Sequence, residues 1–212
     1  TAFEEGNLTW RYIFANLEKE QTIFELTHHL STDTSFYVCS VTPRKLKPNE
    51  IELLKAKQLA PRKVIKEKGD SILLANTSGL NWDLIPLEKG GYRLYLLHGT
   101  TKHGVIPIGD DYSFDLDKEM NVLSWRRYHR SFLEQPITMN GEEIKEVMHS
   151  HTQMTPYFTA TDIANYMLYG YDLYRIKKFS VLSTAFANTS YLTTFDVEKM
   201  KLISTVCPIE KH

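Results

Sequence analysis

His149-Ser150-His151 opens a stretch that runs through Thr152 to Phe158 and ends at Thr159-Ala160-Thr161-Asp162. Val147, His149 and His151 alternate with Met148 and Ser150, the period-two pattern of a strand. Residues i and i+2 of a strand share one face, about 6.5–7 Å apart, so the two imidazoles can converge on one cation. Thr159 is a natural N-cap, and Asp162 falls at N3 of the helix it opens. An aspartate there can point back over the end of the preceding strand. The stretch therefore offers His, His and Asp, a nitrogen and oxygen set that suits zinc with one position left for water. Each half also has a plainer reading: Thr-x-x-Asp is an ordinary capping box, and a His-x-His pair arises by chance. Their joint spacing is what favours a site.

Working outward, Ile144–His149 reads as a strand after Gly141, and Asp162–Tyr169 as a helix. Phe179–Thr184 and Tyr191–Phe195 form a hairpin around Ala187-Asn188-Thr189. Upstream, Tyr92–Leu97, Gly104–Ile108, Tyr112–Leu116 and Val122–Tyr128 alternate as strands with short polar connections, which implies an antiparallel meander. Ser71–Leu74 is a further strand and Asn76–Asn81 is turn-rich. Ahead of these the spacing of Trp10, Ile13, Phe14, Leu17, Ile23, Phe24, Leu26 and Leu30 predicts helix over residues 1–35. Phe36–Val41 is a strand, Pro43–Pro48 a basic loop, and Asn49–Leu59 a helix that Pro61 stops. The expected class is α+β: a mainly helical N-terminal segment (1–65) followed by an α+β domain (66–212).

The composition is that of a folded chain, with 42% hydrophobic residues, 12 Tyr and 10 Phe to offset chain entropy by burial. A net charge of −1 gives no basic field of the kind that nucleic acid demands. The Lys55–Lys68 run is a solvated basic face. No apolar run approaches a transmembrane span. The chain begins at Thr1 without an initiator Met, so an export signal removed by cleavage and a trimmed start both fit; a cytoplasmic or an exported soluble protein is expected. Cys39 and Cys207 could pair in an oxidising compartment or stand as two thiols.

Other candidates read as less specific. His28-His29 falls on the predicted N-terminal helix, where neighbours diverge by about 100° and chelate poorly. His129 ends the strand Val122–Tyr128 and could add a ligand or carry a proton, although Arg126, Arg127 and Arg130 around it suggest a surface position. His98 and His103 flank a turn and are expected to be exposed. Asp110, Asp111, Asp115, Asp117 and Glu119 lack the spacing of a calcium loop and read as solvated turn residues.

The order His149-x-His151, seven residues, Thr159, two residues, Asp162 resembles the motif H-x-H-x7-S-x2-D of the JAMM-motif metalloproteases, the MPN class. Ser150 between the histidines, Phe158 before the cap and Ile163 after the aspartate agree with it. The strand-rich middle ahead of the motif resembles bacterial members. The resemblance is close over roughly 144–184, looser over 85–196, and does not reach the first 60 residues. It implies an MPN-like (cytidine-deaminase-like) mixed sheet flanked by helices, and a zinc hydrolase of amide or isopeptide bonds acting on a protein or peptide. His149, His151 and Asp162 would hold Zn2+ with water as the fourth ligand. Thr159, in place of the family's serine, would help stabilise the oxyanion. Glu88, in Pro86-Leu87-Glu88, stands nearest to the family's upstream glutamate and would move the proton. Without such a base the same fold would serve as a non-catalytic MPN-like binding or scaffold domain.

Overall fold

A computed structural model describes residues 2–4, 9–30, 35–72, 79–153, 155–186, 189–199 and 201–208. The chain divides into two units, Thr1–Lys63 and Val64–His212.

The first unit is built on strands rather than on the expected helix. β1 (Ala2–Glu4), β2 (Thr9–Asn16), β3 (Gln21–Leu30) and β4 (Ser35–Ser40) form one antiparallel sheet in that order. Residues 9–16 and 21–30 are rich in Thr, aromatic and β-branched side chains, which lose rotamer freedom in a helix and pack well on a pleated surface. Burial alternates accordingly: Ile13 is buried and Phe14 exposed, Thr22 buried and Ile23 exposed. The turn at Leu17–Glu20, which the helical reading ran through, closes with Glu20 N–H donating to Leu17 O and Glu20 at φ 49°.

The helix α1 (Pro48–Lys68) then begins with Pro at its first position, where no N–H is needed. It does not stop at Pro61. Its buried stripe Leu53, Ala56, Ala60 and Val64 continues on the same face past the proline, and that burial outweighs the lost hydrogen bond. Glu50 ties the unit together. Its carboxylate is fully buried and takes Arg44 Nη1 at 2.8 Å, Arg44 Nη2 at 2.9 Å, Arg11 Nη2 at 3.1 Å and Lys47 N–H at 2.7 Å.

The second unit carries β5 (Leu80–Pro86), β6 (Tyr92–His98), β7 (Val105–Gly109), β8 (Tyr112–Leu116) and β9 (Val122–Arg127). The order β5-β6-β8-β9 makes one antiparallel sheet, close to the expected meander, but β7 leaves it to pair with β10 (Phe132–Pro136). β5 and β10 add to the strands that the sequence pattern predicts. Ser71 closes a 3-10 turn, and the second half of the strand expected at Ser71–Leu74 lies outside the described residues. A short hairpin, β11 (Thr138–Met139) and β12 (Glu142–Glu143), precedes β13 (Glu146–His151).

After β13 comes α2 (Ala160–Asn165), which runs into a π-turn over Tyr166–Tyr171. The chain returns through β14 (Lys178–Phe186), which pairs with β13 in parallel. β15 (Thr189–Asp196) and β16 (Lys201–Pro208) follow antiparallel, giving a mixed sheet β13-β14-β15-β16. The core between this sheet and the helix holds Ile106, Ile108, Val147, Tyr166, Phe179 and Phe195. The whole is α+β. No helix among the described residues is long and apolar enough to cross a membrane, and both cysteines are free thiols.

Candidate metal centre

Three loops or strand ends meet at the C-terminal end of β13. His149 and His151 alternate on β13 and face the same side as Val147, which is core. Asp162 sits on the first turn of α2, and Thr159 caps it. Asp162 N–H donates to Thr159 Oγ1 at 3.0 Å, while Thr159 N–H and Oγ1–H reach Asp162 Oδ2 at 2.7 and 2.8 Å. The capping box is therefore real, and it also aims the carboxylate. Oδ2 is occupied by the cap, which leaves Oδ1 turned toward the histidines: it lies 3.3 Å from His129 Nε2 and 3.4 Å from His149 Nε2.

His129 is the fourth member. It is not a surface residue: its side chain is 11% exposed, and its Nε2 stands 2.8 Å from His151 Nε2. His149 Nε2 is 2.7 Å from the same atom. The donor atoms of His129, His149, His151 and Asp162 all lie within 4.8 Å of one another.

The loop that carries His129 depends on Gly109. That residue holds φ at +98°, and a Cβ there would stand 2.0 Å from Ser131 O, so only glycine lets the 129–131 segment pass. The turn after Gly109 places Asp110 and Asp111 inward, against the expectation of solvated turn residues. Asp110 pairs with Arg127, and Asp111 Oδ1 meets His129 Nδ1 at 2.5 Å. Both aspartates are buried. Asp115 is likewise no turn residue, since it lies on β8 and pairs across the sheet with Arg93, whereas Asp117 stays in the turn with Asn121.

Outer partners fix the imidazole tautomers. Asp111 accepts from His129 Nδ1–H, and Tyr157 O accepts from His151 Nδ1–H at 2.9 Å. When these rings are neutral, both Nε2 lone pairs therefore point into the cluster. Two such lone pairs 2.8 Å apart, beside a buried carboxylate oxygen that makes no hydrogen bond among the described residues, repel one another unless a metal ion or an added proton lies between them. A zinc tetrahedron with bonds of about 2.0–2.1 Å has edges of about 3.3–3.4 Å. The separations of His129 and His149 Nε2 from Oδ1, 3.3 and 3.4 Å, match that size, and the His–His pairs are somewhat closer. This buried group can hold a metal ion.

The titration behaviour has the same causes. Burial opposes charge on His129, but the hydrogen bond and charge of Asp111, helped by Asp162 and Asp110, raise its pKa above the ordinary histidine value. Burial lowers that of His149 despite Asp162. Burial also works against the Asp162 carboxylate, yet the surrounding imidazoles, His149 and His151 first, hold it well below the usual carboxylate range.

The structure thus brings His149, His151 and Asp162 together and adds His129 and, behind it, Asp111. It does not bring Glu88 to them. Glu88 is exposed in the Leu87–Gly90 turn. That turn lies beside the Tyr92–Leu116 pair, whereas Asp111 and His129 lie just beyond the Tyr112–Arg127 pair at the other end of the same sheet. Thr159 spends its hydroxyl on Asp162 and Thr161. His98 is fully buried against Phe132, not exposed, because β6 ends under β10. His28 and His29 lie on β3. Asp111 and the depth of His129 were findable: pairing the two predicted strands 112–116 and 122–128 through the Asp117–Asn121 turn sets Asp111 beside Tyr128 and His129.

A cavity of about 110 Å³ lined by Arg127–Ser131, Ser150–Thr152 and Thr155 opens beside His129 and His151. Compared with known proteins, the chain matches no family model, no curated protein and no solved structure.

Proposed function

We propose that this chain binds zinc at His129, His149, His151 and Asp162, and that the domain built around the centre is a zinc-dependent hydrolase of amide or isopeptide bonds with a JAMM-like, MPN-like plan. The observation that carries the metal reading is the convergence of three Nε2 atoms on the buried Asp162 carboxylate, whose Oδ1 makes no hydrogen bond among the described residues, with two tautomers fixed from outside. Imidazole and carboxylate donors without thiolate suit zinc as they suit iron, copper and nickel, and the resemblance of the motif is what singles zinc out. The hydrolase reading rests on order and placement: histidines at a strand end, aspartate at a helix start, a parallel return strand, and a cavity beside the donors. Bound there, zinc would polarise a carbonyl oxygen and lower the pKa of a water toward about 7. The protein's own part is to aim Asp162 through Thr159, to orient His129 through Asp111, and to hold His151 through the Tyr157 carbonyl.

One observation favours a second reading, a non-catalytic metal-holding domain with a binding or scaffold role. His129 stands where a catalytic centre keeps water, and four protein donors make a closed site. Among the described residues no glutamate joins the cluster. The test is hydrolysis of a fluorogenic peptide pool and of an isopeptide-linked probe by the zinc-loaded chain. Turnover that chelation removes and zinc restores, absent in His149→Ala, supports the hydrolase. Stoichiometric zinc with no turnover sinks it and leaves the closed, non-catalytic centre.

A further inference from the structure

One strand over from the metal donors lies a cleft that the centre does not use. Its volume is about 350 Å³, and it is lined by Pro156, Tyr157, Ser183, Tyr191, Thr193 and Ser204. Sheet register fixes its place. His151 pairs with Ser183, and Ser183 with Tyr191, so the three share one face across β13, β14 and β15. His149, Val181, Thr193 and Ser204 form the next row. Neighbouring strands are about 4.8 Å apart, so the cleft begins within one strand spacing of His151. Tyr157 is its wall, and the same residue's carbonyl anchors His151.

The lining has a definite chemistry. It carries no charged side chain, and it presents two phenol rings and three aliphatic hydroxyls. Thr193 Oγ1 and Ser204 Oγ lie 2.9 Å apart. Ser183 is 3% exposed, and its hydroxyl oxygen is buried without a hydrogen-bond partner. A buried hydroxyl left unpaired costs stability, and a cleft edge that keeps one is suited to receive a partner there.

We propose that this cleft binds an uncharged, extended peptide segment, the part of the substrate next to the bond presented at the metal centre. The proposal rests on the hydrolase reading for its link to turnover, but the binding itself stands apart from it. Peptide amides offer the donors and acceptors that hydroxyls answer, and rings of Tyr157 and Tyr191 accept apolar side chains alternating with them. Acidic or basic side chains would lose hydration there without gaining a counter-charge.

The test uses the zinc-loaded full chain with three pools of acetylated, amidated hexapeptides (neutral, acidic and basic) and with chitotriose as a sugar probe. Binding is read by saturation-transfer NMR and calorimetry. The neutral pool binds, with the charged pools weaker by about tenfold or more. Ser183→Ala weakens neutral binding about fivefold while zinc content stays at one and Tm rises, because an unpartnered hydroxyl has gone. Thr193→Val, a second variant at a half-buried position two strands from His149, weakens it as well. A rise in Tm with binding unchanged in both variants would mean that Ser183 is merely structural, and it overturns the proposal. Chitotriose binding in place of the peptides, or no binding by any probe, also overturns it. Neutral binding without cleavage supports the cleft and removes the hydrolase; cleavage indifferent to both variants removes the cleft and leaves the hydrolase.

Discussion

Asp111→Asn is the most informative single change near the centre. Asp111 touches no metal donor atom; it holds His129 from behind, Oδ1 to Nδ1 at 2.5 Å, with 1% of its side chain exposed. Asparagine keeps the shape and can still accept the Nδ1–H through its carbonyl oxygen, but it removes the charge. A hydrogen bond to a charged group is worth about 1.5–3 kcal/mol and a neutral one about 1, so the change weakens the support of His129 by about 0.5–2 kcal/mol. If His129 is a ligand, that loss passes into metal affinity as roughly 2–30-fold, reaching into the 10–100-fold usual for losing a carboxylate behind a ligating histidine. Asp111→Ala leaves Nδ1–H without its partner and costs more, about 100-fold. The assay is competition for zinc against a fluorescent chelator, with circular dichroism to confirm the fold. Asp110→Asn is the control: it loosens Arg127 but does not touch His129. Zinc affinity unchanged within about threefold in both Asp111→Asn and Asp111→Ala would show that His129 is not a ligand, and the four-donor centre would be refuted.

The remaining predictions concern both units. Thr159→Ala removes the cap bond from Asp162 N–H and the Oγ1–H bond to Asp162 Oδ2, while the Thr159 backbone N–H stays on Oδ2, so it costs about 0.5–2 kcal/mol in denaturant unfolding and lowers zinc affinity; an effect on stability alone would separate the cap from the site. Glu88→Gln changes an exposed turn and leaves stability within about 0.5 kcal/mol and zinc affinity untouched; a large loss of hydrolysis would show that Glu88 reaches the reacting groups after all. Glu50→Gln breaks the pairing of a fully buried carboxylate with two arginines, Arg11 and Arg44, and destabilises the protein by about 3–5 kcal/mol. Burial opposes the Glu50 charge, but the hydrogen bonds from Arg44 and Lys47 and the charges of Arg44 and Arg11 hold its pKa below the usual glutamate value. A depressed carboxylate contributes stability above its unfolded pKa of about 4.5 and loses it as pH falls through the folded value. Acid unfolding of the wild type therefore steepens below about pH 4.5, and Glu50→Gln flattens that limb.

The site was legible in the sequence because its donors are local: His149, His151, Thr159 and Asp162 carry their geometry in a strand period and a helix cap. His129 and Asp111 are bound to it only by long-range pairing, through the Tyr112–Arg127 register and the Gly109 turn, and nothing in their immediate neighbours signals burial. The N-terminal misreading has a local cause. Apolar residues at Trp10, Ile13, Phe14 and Leu17 mimic helical spacing, and the Leu17–Glu20 turn has none of the Gly, Pro or Asn that mark hairpins. Pro61 misled in the opposite direction, since a proline is a stop only when the face beyond it has nothing to bury, and Val64 does.

The central claim is the metal, and native mass spectrometry with elemental analysis of the purified chain tests it most directly. One zinc per chain, lost in His149→Ala and in Asp162→Ala while the fold persists, is the predicted result. A folded chain that takes up no zinc, or one that keeps its metal in both variants, contradicts it.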